Sequence, residues 1–210
     1  MDTKVIKSKF PIFKNKINGK PLIYLDSANS SQKPKTVIDR ISKFYSKEFS
    51  NIGRSVHSLA VTATNRFEET RDMMQKFINA KHREEIIFTK NATEAINLIA
   101  STYGDKFIKE GDEIIITELE HHANYVPWHF IRQKKGAIIK FAKCNDKGEV
   151  EIDEIKKLIT NKTKIIAITH LSNVTGAIMP IKKIVDLANE KKIPVLVDGC
   201  QGAPHLKIDM

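Results

Sequence analysis

Short runs of β-branched residues alternate with amphipathic stretches along most of the chain. Five apolar runs have the length of buried strands, at 85–89, 113–117, 138–139, 164–169 and 195–197. Apolar residues recur at helical spacing in six longer stretches, at 35–50, 61–80, 94–103, 124–134, 152–160 and 181–192. From residue 85 onward strands and helices alternate, which predicts a doubly wound α/β fold. We expect three α/β/α layers, in which helices cover both faces of a mostly parallel sheet.

The amino-terminal part and the bulk composition change this picture only in detail. Residues 1–34 lack a clear period, so we predict an irregular segment that wraps a main domain at 35–210. We find no targeting signal and no apolar stretch of roughly 18 residues, which favours a cytoplasmic protein without a membrane span. Cys144 and Cys200 are far apart in sequence, so we expect neither a disulfide framework nor a metal site.

The formal net charge of +10 raises the question of a nucleic-acid partner. The excess consists of lysine, with 29 lysines against 6 arginines, spread along the chain between acids. Because a nucleic-acid surface needs clustered charge and favours arginine, lysine-rich solvated faces are the better interpretation. We therefore predict no nucleic-acid partner, and a steep salt dependence of binding to duplex DNA would contradict this.

Ligands of open α/β sheets bind beyond the carboxyl ends of the strands, where four segments carry unusual polar groups. The first, 91–94, opens a predicted helix, whose free N–H groups and Thr93 hydroxyl suit a phosphate. An ordinary N-cap at Asn91 is the alternative. The second, 120–124, contains two adjacent histidines that point in different directions, which disfavours a metal. A histidine there can stack on an aromatic cofactor and exchange a proton, or be a plain surface residue.

The other two segments follow the last two predicted strands. In 170–176, Asn173 offers donors and acceptors for a phenolic oxygen or a carboxylate, although an Asx turn explains the same residues. In 193–201, Asp198 leaves a buried strand, where a carboxylate is costly unless it meets a cation or several donors. A pyridinium nitrogen is such a cation, but strand-end aspartates also hold metals or cap helices. Asp198 is the most specific of the candidate residues.

Together these segments resemble the cysteine desulfurase and selenocysteine lyase branch of the class V aminotransferase-like, fold-type I pyridoxal-phosphate enzymes. The resemblance covers nearly the whole chain. The upstream motifs that carry it are at 18–22, 24–28, 32–34 and 51–57. Residues 120–124, with Val126, Pro127 and Trp128 after them, are similar to the sulfur-mobilisation (Suf) type. The chain departs from the family pattern at Asn29, Gly53 and the Asn91-Ala92 pair.

The resemblance implies how the chain would hold pyridoxal 5′-phosphate. Ala92 and Thr93 would contact the phosphate. His121 would stack on the pyridine ring and help to move protons. Asp198 would pair with the ring nitrogen, and Gln201 would bond to the phenolic oxygen.

The same resemblance implies the substrate side of the site and the reaction. Asn173 would lie near the phenolic oxygen and the substrate, and His57 would line the substrate entrance. Enzymes of this branch convert L-cysteine, or L-selenocysteine, to L-alanine. A cysteine thiolate takes the sulfur as a persulfide for an acceptor protein of iron–sulfur cluster assembly. The implied assembly is a homodimer, and we assign the thiolate role to neither Cys144 nor Cys200.

The lysine that holds the cofactor in this family follows a Ser-Gly-His type motif a short way beyond the segment equivalent to 198–201. This chain ends at Met210, and Lys207, its only lysine after Asp198, is too close to be that residue. We therefore expect a cysteine desulfurase fragment that is inactive alone. The alternatives are another class V enzyme, such as an aminotransferase or a kynureninase-like hydrolase, an inactive binding module, and a basic nucleic-acid module.

Overall fold

The computed structural model describes residues 2–210, which form two compact units: residues up to 86 together with Met210, and residues 87–209. The elements of the first unit are α1 (Thr3–Ser8), β1 (Lys16–Ile17), β2 (Lys20–Pro21), α2 (Lys35–Lys43) and α3 (Ser58–Phe77). The predicted helix at 35–50 is α2 with the π-helical turn Phe44–Glu48 after it, and the one at 61–80 is α3. Both predicted helices are thus confirmed to within a few residues.

Residues 2–34, predicted to be irregular, contain the short helix α1 and one small hairpin. β1 and β2 pair antiparallel around a two-residue tip. Asn18 and Gly19 at this tip have φ values of 52° and 75°, the left-handed pair that a type I′ turn requires. Asparagine and glycine adopt this conformation at low steric cost, so the dipeptide itself specifies the turn. The division into a segment at 1–34 and a domain at 35–210 stays a prediction.

The second unit contains the sheet. Its elements are α4 (Ala92–Ile99), α5 (Asp105–Phe107), β3 (Glu113–Thr117), α6 (Val126–Lys135), β4 (Ile138–Ala142), α7 (Ile152–Leu158), β5 (Thr163–Thr169), α8 (Ile181–Asn189) and β6 (Val195–Asp198). The four strands form one parallel sheet in the order β4-β3-β5-β6. Four of the five predicted strands are therefore confirmed. Over residues 2–210, no helix combines the length and apolar content that crossing a bilayer requires.

The sheet has an apolar core on each face because successive side chains of its strands point to opposite sides. The face covered by α7 and α8 buries Ile115, Ile166, Ile168, Ile155 and Ile184. The face covered by α6 buries Ile114, Ile116, Ile165, Trp128 and Ile131. Each fully buried isoleucine contributes about 1.5–3 kcal/mol relative to an exposed one. These two cores confirm the predicted three-layer arrangement and fix the strand ends at which the candidate residues lie.

The predicted strand at 85–89 is wrong. Arg83–Glu85 form a 3₁₀ turn, and residues 86–89 belong to no regular element and pair with no strand in the described part of the chain. Ile86 is buried, whereas Ile87 is 71% exposed. A β-branched run becomes a strand only beside another strand that takes its backbone hydrogen bonds, and no neighbour is available here.

Candidate functional site

Three of the four candidate segments leave the same edge of the parallel sheet. β3, β5 and β6 are neighbours, so the segments at 120–124, 170–176 and 198–201 all begin at its carboxyl edge. Thr169 of β5 faces Asp198 of β6, and the backbone N–H of His170 donates to the carbonyl of Asp198 at 2.9 Å. The fourth segment begins α4, which packs against the short turn His122–Asn124. The four segments are therefore grouped around one edge.

α4 begins at a polar cap. Oδ1 of Asn91 accepts the N–H of Glu94 at 2.9 Å, and the Glu94 carboxylate accepts the N–H of Lys90. The N-cap alternative at Asn91 is thus confirmed. The cap leaves the N–H groups of Ala92 and Thr93 and the Thr93 hydroxyl without an acceptor among residues 2–210. Unpaired donors at the positive end of a helix are suited to an anion.

His121 begins the turn that follows β3. Its Nδ1 accepts the N–H of Ala123 at 3.1 Å, which makes His121 the N-cap of the 3₁₀ turn His122–Asn124. Because Nδ1 accepts, the neutral ring carries its proton on Nε2. The ring is exposed and lies 6.2 Å, centroid to centroid, from that of His122 at an angle of 65°. Nowhere in residues 2–210 are three or more His, Cys, Asp or Glu side chains placed to hold a metal.

Glu120, which was not among the predicted site residues, anchors this turn. Its Oε1 accepts the Thr117 hydroxyl at 2.6 Å and the backbone N–H of Thr169 at 3.0 Å. Its Oε2 accepts the side-chain amide of Asn124 at 2.7 Å. Oδ1 of Asn124 in turn accepts the indole N–H of Trp128 at 3.2 Å. Asn124 and Trp128 are fully buried, so this chain of bonds is shielded from water.

Burial is the main influence on the electrostatics of Glu120. Burial is the largest influence and raises the pKa of the Glu120 carboxyl, its hydrogen bonds lower it, and the charge of Asp198 raises it again. The pKa therefore lies above its ordinary value. The sequence contains a signal for this network. Glu120 follows a buried strand, Asn124 comes four residues later, and Trp128 comes eight residues later.

Asp198 ends β6 with 7% of its surface exposed. Its Oδ1 accepts the backbone N–H of Cys200 at 3.0 Å, and no lysine or arginine of residues 2–210 lies within 4.0 Å of its carboxylate. Burial, with help from the Asp198 charge, raises the pKa of the Cys200 thiol to about 11, so this neighbour is a neutral thiol. A buried carboxylate without a cation is costly by several kcal/mol. Asp198 thus offers a largely buried negative charge that suits a positively charged ligand.

The loop after β5 is organised by Ser172 rather than by Asn173. The buried Ser172 hydroxyl accepts the N–H groups of Val174 and Thr175, both at 3.2 Å. The N–H of Gly176 donates to the Ser172 carbonyl at 3.1 Å. The Asx-turn alternative is therefore wrong, because the serine takes the backbone donors. Asn173 is exposed, and its amide has no partner among residues 2–210.

The turn after β6 closes against the end of β5. A Cβ built on Gly202 would lie 2.7 Å from Nδ1 of His170, so glycine is needed for this close approach. Burial lowers the pKa of His170, which favours the neutral form of its ring. Gln201 is half-buried in the same turn. The turn therefore holds Gln201 three residues beyond the carboxylate of Asp198.

His57 belongs to the first unit. It is an exposed N-cap of α3, and its Nδ1 accepts the N–H of Ala60 at 3.4 Å. This contact engages Nδ1 at the start of the helix and leaves Nε2 without a hydrogen-bond partner among residues 2–210. The predicted place of His57 at the substrate entrance stays a prediction.

The chain belongs to the aminotransferase class-V family, whose sequence pattern matches residues 23–210. A relative from Mycolicibacterium paratuberculosis, named probable cysteine desulfurase, is 48% identical over 209 residues. A second of the same name, from Halalkalibacterium halodurans, is 45% identical over 210 residues. The alignments cover 100% of this chain in both cases, but 30% and 52% of the two relatives. The chain thus spans between about a third and about half of the length of these relatives.

Solved structures agree with this assignment. The apo cysteine desulfurase of Thermococcus onnurineus superposes with a TM-score of 0.92 at 32% identity, covering 100% of this chain and 50% of that one. A protein named SspA, solved in complex with cysteine, gives 0.82 at 26% identity, covering 90% and 53%. The predicted fold and family resemblance are thereby confirmed. Membership of this family implies a pyridoxal-phosphate cofactor.

Proposed function

We propose that this chain is the cofactor-binding part of a pyridoxal-phosphate-dependent cysteine desulfurase, which converts L-cysteine to L-alanine and passes the sulfur on as a persulfide. The observation that carries the proposal is Asp198, a buried carboxylate without a cationic partner within 4.0 Å at the edge where the other candidate segments also begin. Two relatives named probable cysteine desulfurase, at 45% and 48% identity, support L-cysteine as the substrate.

The groups at this edge fit pyridoxal phosphate part by part. Asp198 offers a negative charge for a protonated ring nitrogen. Ala92 and Thr93 offer unpaired donors for the phosphate. The exposed ring of His121 can stack on the pyridine, and Gln201 would bond to the phenolic oxygen. When bound, the cofactor supplies a ring that withdraws electrons from the carbon next to the substrate amine.

His121 would move protons at one defined atom. Its Nδ1 is engaged by the N–H of Ala123, so Nε2 is the atom left to hold a proton and exchange it with a ligand. Asn173 carries an exposed amide without a protein partner, which suits a substrate carboxylate. His57 would line the substrate entrance, with Nε2 as the atom available there.

Neither cysteine of the chain suits the thiolate that would take the sulfur. The Cys144 thiol bonds to the Glu118 carboxylate, and this contact, with burial, raises the pKa of Cys144. The pKa of the Cys200 thiol is raised to about 11. A sulfur acceptor must react as a thiolate, so both side chains are poorly suited to the role.

Finer features of the proposal come from the resemblance. They are the sulfur-mobilisation type, L-selenocysteine as a further substrate, an acceptor protein of iron–sulfur cluster assembly, a homodimer and a cytoplasmic location. Residues 120–128 support the subtype, because their motif is similar to that of the Suf enzymes. The solved complex of SspA with cysteine supports the amino-acid ligand.

A product assay tests the function. The complete protein that contains this chain is incubated with pyridoxal phosphate, L-cysteine and a reductant, and alanine and sulfide are measured. We expect the two products in equal amounts, with strong loss in Asp198→Asn and little change in Asp146→Asn, which alters an exposed aspartate in the turn after β4. Cofactor binding without release of sulfide would contradict the proposal and favour another class V enzyme or an inactive binding module.

A further inference from the structure

The hydrogen bonds around Glu120 have a fixed direction. The indole N–H of Trp128 can only donate, so Asn124 presents its carbonyl oxygen to Trp128 and its amide N–H to Glu120. The backbone N–H of Thr169, on the other carboxylate oxygen, can also only donate. Both oxygens of Glu120 thus face obligatory donors. A carboxylate is the side chain that accepts from both at once.

This network joins two of the candidate segments. Glu120 directly precedes His121, the N-cap of the turn His122–Asn124. Thr169, which it contacts at 3.0 Å, is the residue of β5 that faces Asp198 in β6. The bond therefore ties the turn that carries His121 to the strand position beside Asp198. The influence of the Asp198 charge on the pKa of Glu120 agrees with this proximity.

We propose that Glu120 is a positioning residue that docks the His121 turn on β5, so that the His121 ring and the Asp198 carboxylate keep the relative placement that bound pyridoxal phosphate needs. The inference rests on the proposed function and adds a residue to which the family resemblance gave no role. Glu120 acts through the backbone of the turn and does not itself touch the cofactor. Its contribution is therefore measured through the NMR resonances of the His121 ring and through the affinity for pyridoxal phosphate.

The direction of the bonds suggests a compensating pair of substitutions. In Glu120→Gln the new amide N–H faces the amide N–H of Asn124, and flipping either amide only moves the conflict to Thr169 or Trp128. In Asn124→Asp two carboxylates meet across the 2.7 Å contact. In the double variant Glu120→Gln/Asn124→Asp, the glutamine N–H donates to the aspartate, whose other oxygen accepts from Trp128. Every bond is then restored and the net charge is unchanged.

Two readouts on this chain distinguish positioning from plain stability. Titration with pyridoxal phosphate, followed by absorbance and induced circular dichroism, gives the affinity. NMR of the His121 ring nitrogens and the Ala123 amide reports the cap of the turn. We expect Glu120→Gln to weaken affinity at least about tenfold and to shift these resonances, and the double variant to recover both. Glu118→Gln is the matched control, because an amide oxygen can still accept the Cys144 N–H.

Each remaining outcome has one interpretation. A lower melting temperature for Glu120→Gln, with unchanged affinity and unchanged His121 resonances, would reduce Glu120 to a stabilising residue and overturn the inference. Recovery of stability but not of affinity in the double variant would show that Glu120 acts by its charge, which also overturns it. If the complete protein that contains this chain releases no alanine and sulfide from L-cysteine, while the affinity and the His121 resonances shift and recover as expected, the proposed function fails and the docking of the His121 turn stands.

Discussion

Replacing Asp198 by asparagine should have opposite effects on the stability of the cofactor-free chain and on its affinity for pyridoxal phosphate. Asparagine keeps an oxygen that can accept the Cys200 N–H at 3.0 Å, so the end of β6 is preserved. The substitution removes the negative charge of a residue that is only 7% exposed and has no lysine or arginine of residues 2–210 within 4.0 Å. Part of the cost of burying that charge is recovered, and we expect the free energy of unfolding to rise by about 1 kcal/mol.

The affinity should change in the other direction. A hydrogen bond between a protonated ring nitrogen and a carboxylate is worth about 1.5–3 kcal/mol. Its loss weakens binding about ten- to a hundredfold, since each 1.4 kcal/mol is roughly a factor of ten. An amide in place of Asp198 offers no charge to offset this loss. A rise in stability together with a loss of affinity is therefore expected only if the Asp198 carboxylate binds a cationic ligand.

Denaturant unfolding with and without pyridoxal phosphate measures both quantities on one sample. Asp146→Asn is the matched control, because Asp146 is an exposed aspartate and its substitution should alter neither value. A fall in the stability of cofactor-free Asp198→Asn by more than about 1 kcal/mol would mean that the protein already satisfies this carboxylate. An unchanged cofactor affinity would equally refute the reasoning.

Three other parts of the structure yield predictions of their own. Gly202→Ala should lower the free energy of unfolding by about 1–3 kcal/mol, because the added carbon would lie 2.7 Å from His170 Nδ1; an unchanged denaturation midpoint would show that the turn yields freely. Burial raises the pKa of Glu113, but Lys140 at 2.7 Å and two threonine hydroxyls outweigh it, so the pKa is lowered. A lowered pKa gives stability above pH 4.5 that is lost as pH falls through the folded-state pKa, so Glu113→Gln should show a shallower acid loss in pH-dependent unfolding. Cys200, with a pKa of about 11, should react with iodoacetamide at pH 8 far more slowly than free cysteine, and equal rates would contradict the environment described.

Hydrophobic spacing was sufficient for the centre of the sheet because β3 and β5 are buried on both faces. Apolar residues run without polar alternation through Ile114–Ile116 and Ile165–Ile168. Such runs, rich in β-branched side chains, are typical of central strands in a parallel sheet. The same pattern failed at 86–89, because an apolar run carries no information on whether another strand lies beside it. Pairing is a property of the assembled sheet.

The candidate site was only partly accessible from the sequence. Placement after successive strands was enough to predict that the segments of His121 and Asp198 begin at one edge. The role of Glu120 was not, because its carboxylate meets the backbone of Thr169, 49 residues away in sequence. Only the register of β3 and β5 brings these groups together, and no local motif encodes that register.

The most direct test concerns the charge that Asp198 meets. Pyridoxal phosphate labelled with ¹⁵N in its ring reports protonation of that nitrogen through its chemical shift. We predict that the ring nitrogen bound to the unaltered chain remains protonated at pH values where the free cofactor has lost this proton, and that Asp198→Asn abolishes the difference. A bound ring nitrogen that titrates like the free cofactor, with or without the carboxylate, would contradict the assignment of Asp198.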